Sequence, residues 1–194
     1  AHDGHVVAYE ALMRPQLPIL RSPLTVMQLA SEMGRLYDIE KLTFFRVCEC
    51  YEELEAAGKL DADALIFVNS IASVSLSDED WASYCEAHSA ILPKLVVEIT
   101  EEEEMNEREL ERKRNFPGAP GVFALDDYGS GYSNGNSLLT VAPKYVKVDI
   151  AIIRGIDTDA DKQQFLRALI DYAHPRGVQV LAEGVETLSE LRKV

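Results

Sequence analysis

This chain is short of cysteine, short of positive charge and without a long apolar run, and each shortage narrows the field. Cys48, Cys50 and Cys85 are its only cysteines. Cys48 and Cys50 are one residue apart, which fits neither a zinc knuckle nor a redox pair, so free thiols in helices of a reducing cytoplasm are expected. Lysine and arginine number 19 against 33 acids, for a net charge of −14. That excess argues against a nucleic-acid groove, which needs a basic face. It does not exclude an anionic small substrate, because bound divalent cations reverse the local sign of a site. No apolar run approaches the roughly 20 residues of a membrane-spanning helix. Ala1-His2-Asp3-Gly4-His5 has no signal-peptide pattern. The four histidines lack metal-ligand spacing. His174 follows an amphipathic stretch and is expected to cap it.

What is present is ordinary globular material, 47% hydrophobic and 27% charged over 194 residues, enough for one domain with a full core. Six short apolar runs end in an acid, an amide or a lysine. Val6–Tyr9 leads to Glu10, Leu65–Val68 to Asn69, and Leu95–Val97 to Glu98. Val122–Leu125 leads to Asp126 and Asp127, Tyr145–Val148 carries Lys147 and leads to Asp149, and Val178–Ala182 leads to Glu183. Unbroken Val/Ile/Leu runs are the mark of buried parallel strands. In a closed βα barrel the C-terminal strand ends converge on one site. So many converging carboxylates repel one another unless a cation sits among them, so a metal site is expected.

Helical spacing falls between these runs. Leu24–Met33 follows Ser22-Pro23, a cap and first-turn proline. Ile39–Ala57 is long and amphipathic and ends near Gly58; Asp78–Ala90 has Ser77 as its cap. Met105–Arg114 is charged and closes at Pro117-Gly118, Ser133–Leu139 is short, Asp159–His174 precedes Gly177, and a last helix starts near Thr187. Glu102–Glu104 read as a solvated helix start. Strands alternating with helices call for a parallel sheet with crossover helices. There are six strands where a barrel needs eight. Asp3-Gly4 is a turn signal with no strand before it, which suggests a partner strand upstream in a parent protein.

Glu10-Ala11-Leu12, Phe67-Val68-Asn69, Val97-Glu98-Ile99-Thr100-Glu101, Leu125 to Ser133, Val146-Lys147-Val148-Asp149 and Ala182 to Thr187 follow one another along the chain. In these motifs, their order and their spacing the chain resembles the EAL domains, the bacterial cyclic di-GMP phosphodiesterases. Glu10-Ala11-Leu12 is similar to the family's signature triplet, and the others match its later motifs. The resemblance implies a modified TIM (β/α)8 barrel, here lacking its first and last strands, as a single domain over residues 1–194 truncated from a longer signalling protein. It implies hydrolysis of cyclic di-GMP to linear pGpG with two Mg2+ or Mn2+ ions. It also implies a homodimer, further signalling domains in the parent chain, and a cytoplasmic location with no direct membrane contact by this segment. The alternative is a catalytically silent EAL domain acting as a nucleotide sensor or interaction module. An enolase-type metal barrel is opposed by the paired aspartates before a glycine-rich loop. Asn134-Gly135-Asn136 puts a glycine where the family usually has an apolar residue, which is expected to loosen that loop.

The resemblance distributes roles residue by residue. Glu10, Asn69, Glu98 and Asp126 would share one metal, with Asp126 bridging to a second held by Asp127 and Glu183. Oxygen donors suit hard divalent ions. Lys147, Glu183 and Asp127 are the catalytic candidates; Arg14 and Leu12 would touch substrate. Glu101 would support the glycine-rich loop, with Asp149 and Glu186 behind the site. The bland alternatives are an ion pair of Lys147 with Asp149 or Asp127, a surface ion pair for Arg14, and an exposed glutamate at Glu101. The loop itself lacks the Gly-Lys-Ser/Thr ending of a phosphate-cradling P-loop.

Overall fold

The computed structural model describes residues 5–17, 19–61, 63–100, 107–115, 121–130 and 136–194. Two compact units form, Ala1–Val97 with Met105–Val122, and Glu98–Glu104 with Phe123–Val194.

The first unit holds β1 (Ala8–Ala11), α1 (Pro23–Glu32), α2 (Leu36–Ala56), β2 (Leu65–Asn69), α3 (Asp78–Ala87), the first half of β3 (Leu95–Thr100) and α4 (Glu107–Asn115). β1 pairs parallel to β2, with Glu10 opposite Phe67. Strand order in this unit is β1-β2-β3. Its core is aromatic. Phe44 meets Trp81 edge-on at 5.3 Å and Tyr84 at 5.6 Å between ring centres. Phe44 and Cys48 are one turn apart on α2, as Trp81 and Tyr84 are on α3, so one face of each helix fills the interior. Edge-to-face pairs of this kind add about 0.5–1.5 kcal/mol each beyond area burial. Ser77 caps α3 by accepting from the Asp80 N–H.

The second unit holds the rest of β3, β4 (Phe123–Tyr128), α5 (Ser137–Val141), β5 (Tyr145–Val148), α6 (Ile150–Ile153), α7 (Ala160–Ala173), β6 (Gln179–Ala182) and α8 (Leu188–Leu191). The order is β3-β4-β5-β6, with β4–β5 and β5–β6 parallel. Leu125, Val146, Val148, Ile153, Ile156 and Leu166 are buried. Asp159 caps α7 by accepting from the N–H groups of Asp161 and Lys162.

Six parallel strands alternating with helices are the expected architecture, and α1–α4, α7 and α8 form close to the predicted ranges. Three details differ. β1 starts at Ala8 rather than Val6: Val6 and Val7 are exposed, and the first paired residues are Ala8 and Leu65, with the Leu65 N–H donating to the Val7 carbonyl. The short helix after β4 runs Ser137–Val141, ending two residues past the expected Leu139; the expected start, Ser133, lies outside the described residues. α6 is four residues long, too short for any periodicity, and forms because the Asp149 side chain caps it by accepting from the Ala151 N–H at 2.7 Å. All three cysteines are free thiols in helices, and His174 is the C-cap of α7.

Candidate active site

Consecutive residues of a regular strand point to opposite faces, so two adjacent aspartates cannot both serve one site. β4 escapes that rule. Its register against β5 shifts between Leu125 and Tyr128, and Asp127 takes a positive φ of 54°. That conformation costs an ordinary residue about 1 kcal/mol or more, and aspartate is among the few side chains that tolerate it. The Asp127 N–H donates to Asp126 Oδ1 at 3.0 Å. As a result, carboxylate oxygens of Asp126, Asp127 and Glu183 lie within 4.8 Å of one another.

β5 sets Lys147 beside them. Leu125 pairs with Val146 and Lys147 with Leu181, so Asp126, Lys147 and, two residues past Leu181, Glu183 share a face. Lys147 Nζ sits 2.6 Å from Glu98 Oε1, 3.0 Å from Asp126 Oδ1 and 2.9 Å from Glu183 Oε1. Its side chain is 7% exposed. Burial opposes its charge, yet the field of Glu98, then of Asp126, together with hydrogen bonds to Glu98 and Glu183, outweighs burial and raises its pKa. The bland alternative from the sequence paired Lys147 with Asp149 or Asp127. The structure pairs Lys147 with Glu98, Asp126 and Glu183, and the Asp149 side chain accepts from the Ala151 N–H to cap α6.

The turns after these strands are tightly packed. Gly129 has φ +94°, and a Cβ there would come within 2.9 Å of Ile152. Gly184, directly after Glu183, has φ +65°, and a Cβ there would overlap Ile150. Both isoleucines belong to α6, so this short helix braces the turns behind Asp127 and Glu183.

Glu190 anchors the segment after β6. It accepts from the N–H groups of Gly155 at 2.9 Å, Glu186 at 3.1 Å and Thr187 at 3.0 Å. These backbone donors, Gly155 foremost, hold its pKa down to about 2. Sequence reasoning missed it, although Thr187 and Glu190 form a capping box whose S/T-x-x-E spacing was legible. Glu186 pairs with Arg154 at 2.6 Å.

In the first unit, Glu10 lies opposite Phe67, and Asn69 is two residues further on, so Glu10 and Asn69 share a sheet face. Both are exposed. Leu12 is half-exposed. Arg14 is exposed beyond β1, its guanidinium donating to the Met13 carbonyl. Glu101, Asp3-Gly4, Asn134-Gly135 and residues 131–133 of the glycine-rich loop lie outside the described residues.

The donor chemistry fits a hard divalent cation. Every candidate ligand offers oxygen, and four carboxylates (Glu98, Asp126, Asp127 and Glu183) stand against one ammonium. The sequence pattern that defines the EAL domain matches residues 1–194. This chain belongs to the EAL domain family. Among EAL relatives, it is 27% identical over 175 residues to the probable cyclic di-GMP phosphodiesterase PdeG of Escherichia coli, covering 88% of this chain and 34% of that protein. It is 30% identical over 199 residues to the cyclic di-GMP phosphodiesterase NbdA of Pseudomonas aeruginosa, covering 97% of this chain and 25% of that protein. The chain thus spans only about a quarter to a third of the length of these relatives. A manganese and cyclic di-GMP complex of Klebsiella pneumoniae BlrP1 shares the EAL fold, with TM-score 0.78 at 22% identity, covering 99% of this chain and 48% of that one. Among the described residues, no helix is long and apolar enough to cross a membrane.

Proposed function

We propose that this EAL domain hydrolyses one phosphodiester bond of cyclic di-GMP, giving linear pGpG, with two divalent ions, Mg2+ or Mn2+. The observation that carries the reading is the convergence of Asp126, Asp127 and Glu183 around the buried Lys147. The relatives named as cyclic di-GMP phosphodiesterases support the substrate.

Asp126, Asp127 and Glu183 would hold metal, with Glu98, Glu10 and Asn69 as further ligands on the strength of the family resemblance. Held there, divalent ions would supply charge neutralisation at the phosphodiester and lower the pKa of an attacking water. Lys147 keeps its proton, because the carboxylates around it raise its pKa. A fixed ammonium there orients water and offsets charge that develops on the phosphoryl oxygens. Arg14 would grip a phosphate through its planar fork, beside Leu12. Asp149 acts through α6, and Glu186 through its pairing with Arg154. Glu101 is assigned to loop support by resemblance alone, as are the homodimer, the cytoplasmic setting and partner signalling domains.

Incubation with cyclic di-GMP and Mn2+ tests this, with pGpG as the expected product. Nucleotide binding without pGpG would make the domain a sensor instead.

A further inference from the structure

The first unit contains a buried charge that the reading above leaves unused. Glu40 on α2 is 1% exposed, Lys113 on α4 is 2% exposed, and Ser70 is 6% exposed. Lys113 Nζ donates to Glu40 Oε1 and, at 2.6 Å, to Ser70 Oγ. Ser70 Oγ donates to Glu40 Oε1 at 2.6 Å, and the Ile71 N–H donates to Glu40 Oε2 at 2.8 Å. The cluster therefore grips the two residues that directly follow Asn69, the last residue of β2.

A buried ion pair is a poor route to stability. Desolvating both charges costs about as much as their attraction returns, and apolar replacement of the pair is often neutral or stabilising. What such a cluster does provide is geometry. Glu40 accepts from a side chain and a backbone N–H on consecutive residues, and Lys113 closes the arrangement from α4. Two anchored residues after Asn69 fix the direction in which β2 delivers its side chain.

We propose that Glu40, Ser70 and Lys113 are positioning residues that act through Asn69 to set divalent-metal affinity. This rests on the assignment of Asn69 as a ligand. Residues behind a ligand typically change metal affinity by about 10–100-fold when altered.

The test is Mn2+ binding alone, followed by electron paramagnetic resonance, with thermal unfolding alongside. The Glu40→Leu/Lys113→Met variant removes both charges and the anchor, and should bind Mn2+ about 10–100-fold more weakly while remaining folded. The Glu40→Gln/Lys113→Met variant removes the charges but keeps an amide oxygen for the Ile71 N–H, and should restore most of the affinity. On an Asn69→Ala background, Glu40→Leu/Lys113→Met should cause no further loss. Wild-type Mn2+ affinity in the folded Glu40→Leu/Lys113→Met protein overturns the proposal, as does an equal loss with Asn69→Ala present. If that double variant does not fold, Ser70→Ala carries the test: weaker Mn2+ binding supports the proposal and unchanged binding overturns it. Absence of Mn2+ binding in the unaltered protein would instead remove the site reading itself, and this proposal with it.

Discussion

The two units each bury a lysine, and they treat it differently. In the first, Lys113 meets one carboxylate and one hydroxyl, so charge balances locally. In the second, Lys147 meets three carboxylates, with Asp127 close by, so negative charge is in excess. A balanced cluster is complete as folded and can only hold things in place. An unbalanced one is poised to take up further positive charge. Burial alone does not separate the two cases; counting the acids around each ammonium does.

The largest effect should come from opening the unbalanced cluster. Asp126→Ala is expected to lower turnover by at least about a hundredfold, since metal-based charge stabilisation is worth several kcal/mol. Near-normal pGpG production by that variant would reject the two-metal mechanism. Next comes the balanced cluster. Lys113→Met leaves Glu40 buried without its counter-charge, which should cost about 3–5 kcal/mol in urea unfolding. Mn2+ should raise the stability of this variant no more than it raises that of the unaltered protein, so the deficit should remain. Lys147→Met should behave in the opposite way, destabilised without metal and recovered by Mn2+. If Mn2+ rescues both variants or neither, the distinction between the clusters fails.

Smaller still is the response of the unaltered protein to metal. Mn2+ at a hundred times its dissociation constant should stabilise the fold by about 2.7 kcal/mol, and a chelator should reverse the rise in melting temperature. A flat melting temperature across that titration would contradict the metal site.

The smallest effect is a pH dependence. Glu190 is held at about 2, below the usual carboxylate range, by the N–H groups it accepts from. A depressed carboxylate contributes stability above its unfolded pKa, near 4.3, and that contribution fades as pH falls toward the folded value. Glu190→Gln should therefore unfold at lower temperature at neutral pH. The gap should close between about pH 4.3 and 2, where melting curves of the two proteins are to be compared. A gap that stays constant down to pH 2 would deny Glu190 its charge-dependent role.

Much of this was legible in the chain because buried parallel strands write themselves as unbroken apolar runs. Leu65–Val68 and Tyr145–Val148 fall where those runs sit. Strand ends also carry chemistry, so Asp126, Asp127, Lys147 and Glu183 stood out before their distances were known. β1 was read two residues early, since Val6 and Val7 look like core yet are exposed. α6 left no signal, because four residues complete barely one turn. Glu98 and Glu183 could not be read as partners of Lys147 from positions near it in the chain, because it is the sheet that brings β3 and the residue after β6 to it. Glu40 and Lys113 were unreadable for the same reason: they are 73 residues apart, and charges on helices ordinarily face water.

The turn at Asp127 also bears on how this domain could change over evolutionary time. Its left-handed backbone is tolerated by aspartate and asparagine and by few other side chains apart from glycine. Replacing one oxygen with an amide nitrogen would keep the backbone path and remove the charge. On the proposed reading, loss of catalysis at that position would be accessible in one conservative substitution that the fold itself would not resist. A receptor for the same nucleotide would then lie one step from the proposed enzyme, and the step would run through a residue that only a few amino acids could occupy.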